Sequence, residues 1–324
     1  MPTLSTHGEP STSSRIFEPY DRFREEFNRK PFLFSHNLGS RSLFSLPRIQ
    51  ALAESFLKKK GPRSVQWRNS DTAVDAGWAL KPPSEQIASV SEAITNLEKS
   101  GSWVLVRGIQ DDPEYRAVIE QMLDELEVIL GRPLRREITW KESHIFMVSP
   151  NGVTPYHIDH MATFVMQIHG NRSAHLWDHT DRSVLTEQEI ENFYMGDHAA
   201  AKFDESKMQK ATVYPLDAGK GVLHPTLAPH YYKNKDAYSV AMTLGMCLKA
   251  PDAVAHVYQI NACLRQLGMK PAPPGEHPVR DHLKTGALEF LEKRKPASAD
   301  EVIRSGVVRL KAPFRLVKKL QGKN

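Results

Sequence analysis

Cysteine is scarce in this chain. Only Cys247 and Cys263 occur among 324 residues. Two thiols cannot build a disulfide framework or a thiolate zinc site, and their scarcity fits a reducing, cytoplasmic setting. Long apolar runs are also missing. No stretch of 18 apolar residues exists, so no transmembrane segment is expected. Residues 1–14 hold Ser, Thr and Pro but no apolar block of the kind a secretory signal needs, and they are expected to be a disordered lead-in. Acids are absent from 302–324, where Arg304, Arg309, Lys311, Arg315, Lys318, Lys319 and Lys323 give seven positive charges. The net charge of +5 less these seven leaves −2 for the rest, so the basicity sits in a tail. That tail is either a solubilising end or a contact for an anionic surface such as a membrane. Pro313 interrupts any single helix there.

What remains is an ordinary globular composition, 40% hydrophobic and 25% charged, ample for one large domain with additions. The first half reads as mixed. Residues 31–36 read as a short apolar strand. A helix follows Ser45, with Pro47 in its first turn and Gly61-Pro62 as its stop. Residues 84–99 have helical spacing, 103–106 are a continuous apolar strand, and 113–131 give the strongest helix pattern. Beyond 131 the texture changes to short strands between Gly and Pro turns: 137–140, 144–148, 155–158, 163–168, 173–177, 212–215, 221–223, 230–233 and 238–246. Many short strands of this kind predict a sandwich or barrel of the jelly-roll type. Helices are expected at 186–195, 252–267 and 281–294.

The chain is organised around Thr154-Pro155-Tyr156-His157-Ile158-Asp159, read with Pro229-His230. Residues i and i+2 of a strand share a face, which sets the His157 imidazole beside the Asp159 carboxylate. His230 is the candidate third group from a strand distant in sequence. Two His and one carboxylate on one side of an ion, with open positions opposite, is the facial triad of non-haem Fe(II) oxygenases. His-x-acid alone says little. With 14 His and 38 acids in 324 residues, about 1.6 such pairs arise by chance. His7-Gly8-Glu9 lies in the polar lead-in. His179-Thr180-Asp181 follows Trp177-Asp178 and reads as a turn leaving a strand. His224, before Pro225, competes with His230 for the third position, and His160 adjoins the site. Thr163 and Gln167 share strand parity, so one face can carry both inward. Trp140, Trp177, Met161 and Met166 read as packing residues.

From about 31 to 249 the chain resembles the JmjC and cupin-like Fe(II)/2-oxoglutarate oxygenases, nearest in texture to the asparaginyl-hydroxylase-like branch. The resemblance rests on Thr154-Pro155-x-His157-x-Asp159, on Phe164-x-x-Gln167-Ile168-x-Gly170, and on Gly219 through Val222-Leu223 to Pro229-His230. It implies an α+β fold: a double-stranded β-helix, the cupin jelly roll, with flanking N-terminal helices and a helical C-terminal extension. The oxygenase domain would be 15–250, with its β-helix core at about 132–250, and the extension with the basic tail would be 251–324. It places Fe(II) on His157, Asp159 and His230, and the distal carboxylate of 2-oxoglutarate on Thr154 and Arg172, with Thr163 and Gln167 as further candidates. The branch has Lys where this chain has Arg172. Arg keeps the charge and its planar fork suits a carboxylate, though it is longer. No Arg follows His230 within thirty residues, so a site with Arg on the last strand has no candidate.

These residue types suit the chemistry. Neutral imidazoles and one carboxylate leave three positions on the metal, two for 2-oxoglutarate and one for O2, while the cofactor performs the oxidation. The expected activity is a cytoplasmic dioxygenase, a hydroxylase of a small molecule, peptide or lipid headgroup, with a possible homodimer through the C-terminal helices. Two other classes stand beside it. One is a non-enzymatic cupin-like sensor whose basic tail touches nucleic acid or membrane, although no helix-turn-helix or zinc finger is visible. The other is a metal-dependent isomerase or hydrolase. Thr154 and Arg172 in one pocket favour a bound dicarboxylate over both.

Overall fold

The structure is a computed structural model that describes residues 15–18, 23–77, 88–291 and 301, the side chains of 287–291 excepted. The lead-in 1–14, the first turn of the helix expected from Ser84, and the basic tail lie outside the described residues. Helix and antiparallel sheet are mixed. In chain order the elements are α1 (Phe23–Glu26), β1 (Phe32–Ser35), α2 (Leu46–Lys60), β2 (Val65–Asn69), α3 (Val90–Thr95), β3 (Ser102–Arg107), α4 (Pro113–Leu130), β4 (Ile138–Val148), β5 (Val153–His157), β6 (Ala162–His169), β7 (Asn171–Leu176), α5 (Glu187–Tyr194), β8 (Thr212–Asp217), β9 (Lys220–His224), β10 (His230–Asn234), β11 (Ser239–Leu248), α6 (Lys249–Gln266) and α7 (Pro278–Leu291).

The helices start and stop where local chemistry dictates. Asp112 caps α4 by accepting from the N–H groups of Glu114 and Tyr115, Pro113 fills the first turn, and Gly131 ends it at φ 65°. A cap of this kind is worth about 1 kcal/mol. Thr186 and Glu189 form a reciprocal capping box on α5. Gly61, at φ 79°, closes α2 as its position after three lysines predicts.

The strands form two antiparallel sheets. One has seven strands in the order β1-β9-β6-β11-β4-β3-β2, the other four in the order β5-β10-β7-β8. Strand β6 shows how they are layered. Phe164, Met166 and Ile168 point outward into the main core, where Val118, Ile119, Met122 and Leu126 of α4 cover the larger sheet. Val165 points inward and packs with Val222 and Ala241 of the same sheet against Ala174, Leu176, Leu216 and Tyr232 of the smaller one. The two sheets therefore face each other across an apolar floor, and the site lies beside it.

Several expectations need correction. Residues 138–140 and 144–148 belong to one eleven-residue strand, β4, and Glu137 lies in the turn before it. The polar interior Lys141-Glu142-Ser143 looks like a break, but it continues the β11 ladder, with Glu142 opposite Gly245. Strand β2 was not expected. Val65-Gln66-Trp67-Arg68-Asn69 has little apolar alternation, yet it pairs residue for residue with β3. Helix α6 begins at Lys249, with Pro251 tolerated in its first turn. It packs on α5, where Arg265 Nε donates to both oxygens of the buried Glu191 at 2.9 and 3.0 Å. Among the described residues no helix is long and apolar enough to cross a membrane.

Candidate metal centre

Strands β5 and β10 pair antiparallel with His157 directly opposite His230, and a bulge follows His230. The two rings lie 4.1 Å apart, centroid to centroid. Asp159 sits just past the end of β5 in the turn to β6. Its Oδ2 is 3.7 Å from His157 Nε2 and 3.7 Å from His230 Nε2. One ligand atom from each of the three residues falls within 4.8 Å of the others.

The tautomers follow from the hydrogen bonds. His157 Nδ1 lies 2.7 Å from the Pro155 carbonyl oxygen and His230 Nδ1 lies 2.9 Å from that of Ala228. A carbonyl only accepts, so each Nδ1 carries the proton and each Nε2 of the neutral ring carries a lone pair. Both lone pairs face the Asp159 carboxylate. Burial, and after it the neighbouring His157, pushes the His230 pKa down to about 3, which keeps its ring neutral. A neutral imidazole fixed through its second nitrogen is the form that binds metal.

The three residues line a cavity of about 70 Å³ between the sheets. That is room for several water molecules. The smaller sheet adds Thr154, Arg172 and Tyr232, and the larger adds Thr163, Val165, His224 and Thr243. Arg172 is buried. Its guanidinium lies over the Tyr232 ring at 4.4 Å, and its Nε has no hydrogen-bond partner among the described residues. Burial lowers its pKa to about 10. Two more polar atoms nearby are buried and unpartnered, Tyr232 Oη and His224 Nδ1. A buried cation without a counter-charge costs several kcal/mol, about 3–5 when one partner of a pair is removed. This cavity wall therefore suits an anion. Thr154 Oγ1 accepts from Trp103 Nε1 at 3.0 Å, and its own proton remains to be donated.

The structure thus brings together His157, Asp159, His230, Thr154, Arg172 and Thr163. It does not bring Gln167 to the cavity. Gln167 has the inward parity but lies further along β6, where the β11 register shifts, and its Nε2 donates to the His169 carbonyl at 2.7 Å. His224 lies outside the close group of three and stacks on His230 at 4.1 Å. His179 and Asp181 form a turn in which Asp178 and Asp181 accept from Thr180 and Ser183. Met166 and Trp177 are core residues, whereas Met161 lines the cavity and Trp140 donates to Glu142 Oε2 at 3.4 Å. Sequence reasoning missed Glu142, His144, Phe146 and Tyr232. The first three alternate along β4, and that spacing was the available signal. His144 Nδ1 accepts from the Gly108 N–H, so its Nε2–H donates to Glu142 Oε1 at 3.1 Å.

No protein-family model matches the chain, and no curated protein does. Solved structures resemble it distantly. The ribosomal oxygenase YcfD of Escherichia coli, in complex with cobalt and 2-oxoglutarate, is 14% identical over 95% of this chain and 71% of that one, with a TM-score of 0.46. The same enzyme with cobalt and succinic acid gives 16% identity over 90% and 71%, at a TM-score of 0.45. The DMSP lyase DddQ of Ruegeria pomeroyi DSS-3 matches 33% of this chain and 38% of its own, 13% identical, at 0.22. YcfD is an oxygenase, the class that the motifs resemble. At these identities and scores activity does not transfer, and the chemistry has to be argued from the site.

Proposed function

We propose that the protein is an Fe(II)/2-oxoglutarate-dependent oxygenase built on a double-stranded β-helix, with Fe(II) held by His157, Asp159 and His230. The observation that carries this reading is the convergence of two lone-pair-bearing Nε2 atoms and one carboxylate beside a buried, unpaired guanidinium. Two imidazoles and one carboxylate suit Fe(II) and leave positions open. The orphaned Arg172 Nε, Tyr232 Oη and His224 Nδ1 suit a carboxylate-bearing co-substrate in the same cavity, and so does the Thr154 hydroxyl. When bound, the metal with 2-oxoglutarate and O2 supplies oxidation of a substrate C–H bond, coupled to decarboxylation of the keto acid to succinate.

The chain's own residues have definite tasks. Pro155 and Ala228 hold the imidazole rings through their carbonyls. Arg172 neutralises and orients the distal carboxylate, with the Tyr232 ring beneath its guanidinium. The apolar floor of Val165, Val222 and Leu176 keeps bulk water from below, so charge on the cavity wall acts in a low-dielectric setting. Glu142, His144, Phe146 and Met161 form the wall on the larger-sheet side, where a substrate would lie.

The test is succinate and CO2 release from 2-oxoglutarate with Fe(II) and ascorbate. It is accompanied by the visible absorption that appears when 2-oxoglutarate joins the Fe(II) protein under nitrogen. Both signals are expected in the wild type and not in His157→Ala. Absence of both from the wild type would overturn the oxygenase reading and favour a ligand sensor.

A further inference from the structure

The three groups of the proposed metal centre are not secured alike. Each histidine has its second ring nitrogen tied to a carbonyl two residues before it. The Asp159 carboxylate is 38% exposed and has no hydrogen bond among the described residues; the charged or ionisable groups beside it are the two histidines themselves. Its direction is therefore set by the backbone that carries it. Two tethers hold that backbone. On one side the Asp159 carbonyl accepts from the Leu227 N–H at 2.8 Å, in the loop leading to His230. Leu227 is held at φ 65°, a left-handed conformation that a non-glycine residue adopts only at a cost, so the loop there is fixed by its surroundings. On the other side stands His160.

We infer that His160 is the positioning residue for Asp159, and that through it the metal centre is braced against helices α5 and α6. This rests on the metal-site reading above. The His160 side chain is 1% exposed and is bonded at both ring nitrogens. Its Nδ1 lies 3.0 Å from Tyr194 Oη at the end of α5, and its Nε2 lies 2.7 Å from Asp252 Oδ1 in the first turn of α6. Asp252 is itself fixed, since its Oδ2 accepts from Thr139 Oγ1 on β4 at 2.6 Å. A carboxylate only accepts, so His160 Nε2 donates to Asp252 and Nδ1 accepts from Tyr194. Every member of this buried chain is satisfied, and such a chain specifies one geometry. His160 has no lone pair to offer a ligand, and it does not line the cavity. What it does is fix the residue after Asp159, and with it the direction in which the carboxylate leaves the turn. The two helices thereby acquire a part in the centre without contributing a ligand to it.

The test is Co(II) binding to the metal-free full chain, read by calorimetry and by the visible d–d spectrum. His160→Phe and Asp252→Ala are expected to weaken Co(II) about tenfold or more, the loss typical of removing an orienting partner. Both should also change the d–d band, because the carboxylate is no longer aimed. Asp252→Asn keeps an acceptor for the His160 N–H and is expected to restore affinity to within about threefold of wild type, a gain of about threefold or more over Asp252→Ala. Tyr194→Phe removes one hydroxyl from a site that keeps its shape, and it serves if the larger changes prevent folding. It is expected to weaken Co(II) several-fold while the apo form stays folded, with a modest fall in its melting temperature because His160 Nδ1 loses its donor. Wild-type affinity and spectrum in folded His160→Phe, or in Tyr194→Phe should that variant alone fold, would overturn the inference. If the wild type binds no Co(II), the metal centre and this inference fall together. If the wild type binds and the variants match it, only the inference falls.

Discussion

Among the described residues, two trios of side chains that could hold a metal ion lie next to each other. His157, Asp159 and His230 form one, and His160, Cys247 and Asp252 form the other, each with its ligand atoms within 4.8 Å. By distance alone they are equals. Their hydrogen bonds separate them. In the first, both histidines spend Nδ1 on carbonyls and turn Nε2 to the carboxylate. In the second, both nitrogens of His160 are taken, Asp252 accepts from Thr139 and His160, and burial pushes the Cys247 thiol well above its usual range. A thiol held protonated is a poor ligand. Closeness of ligand types therefore does not make a binding site. What counts is where the lone pairs that remain are aimed.

This contrast can be broken or sharpened experimentally. The largest effect is expected from His230→Ala, which should weaken Co(II) by more than the about 10–100-fold that loss of an outer partner costs. Calorimetry against wild type measures it, and near-native affinity would dissolve the difference between the trios. Next comes Arg172→Met. A charge-assisted bond is worth about 1.5–3 kcal/mol, so 2-oxoglutarate binding to the Co(II) protein should fall about 10–100-fold. The apo form should not lose stability, since an unpaired buried cation is removed. A loss of apo melting temperature with unchanged 2-oxoglutarate affinity would contradict this.

A smaller, graded effect is expected with pH. His36 is lowered to about 4 and His230 to about 3, chiefly by burial. Between those values and 6.5 the unfolded chain binds more protons than the folded one. Apo stability should then be full above about pH 6.5 and fall as the pH drops toward 4. Melting curves between pH 7.5 and 5 test this, and a flat profile would count against neutral buried rings. Smallest of all, Cys247→Ala should leave the Co(II) stoichiometry unchanged. A reduced stoichiometry would mean that the second trio also binds.

Much of the larger sheet and the motif-bearing strands was legible because they are short apolar runs with Gly or Pro near several of their ends. The pairing of His157 with His230 was legible from residue types and the resemblance. What escaped has a physical reason. The interior of β4 reads as a break because it is polar, and it is polar because Glu142 and His144 face the cavity. Gln167 was placed one step too near the centre because parity tells which face a residue takes and not how far along the sheet it stands. Tyr232 carries no signal of its own. The bond from His160 to Asp252 joins positions far apart in the chain, and no local pattern announces it.

Direct opposition of His157 and His230 across β5 and β10 has a further consequence. The two rings become neighbours only after these strands have zipped, so an unfolded chain offers a divalent ion at most the local pair His157 and Asp159, without His230. Almost all of the ion's affinity then belongs to the folded form. At a hundred times its dissociation constant, such a ligand adds about 2.7 kcal/mol to the folding equilibrium. A simple thermal scan with and without Co(II) therefore reports whether the two strands have met.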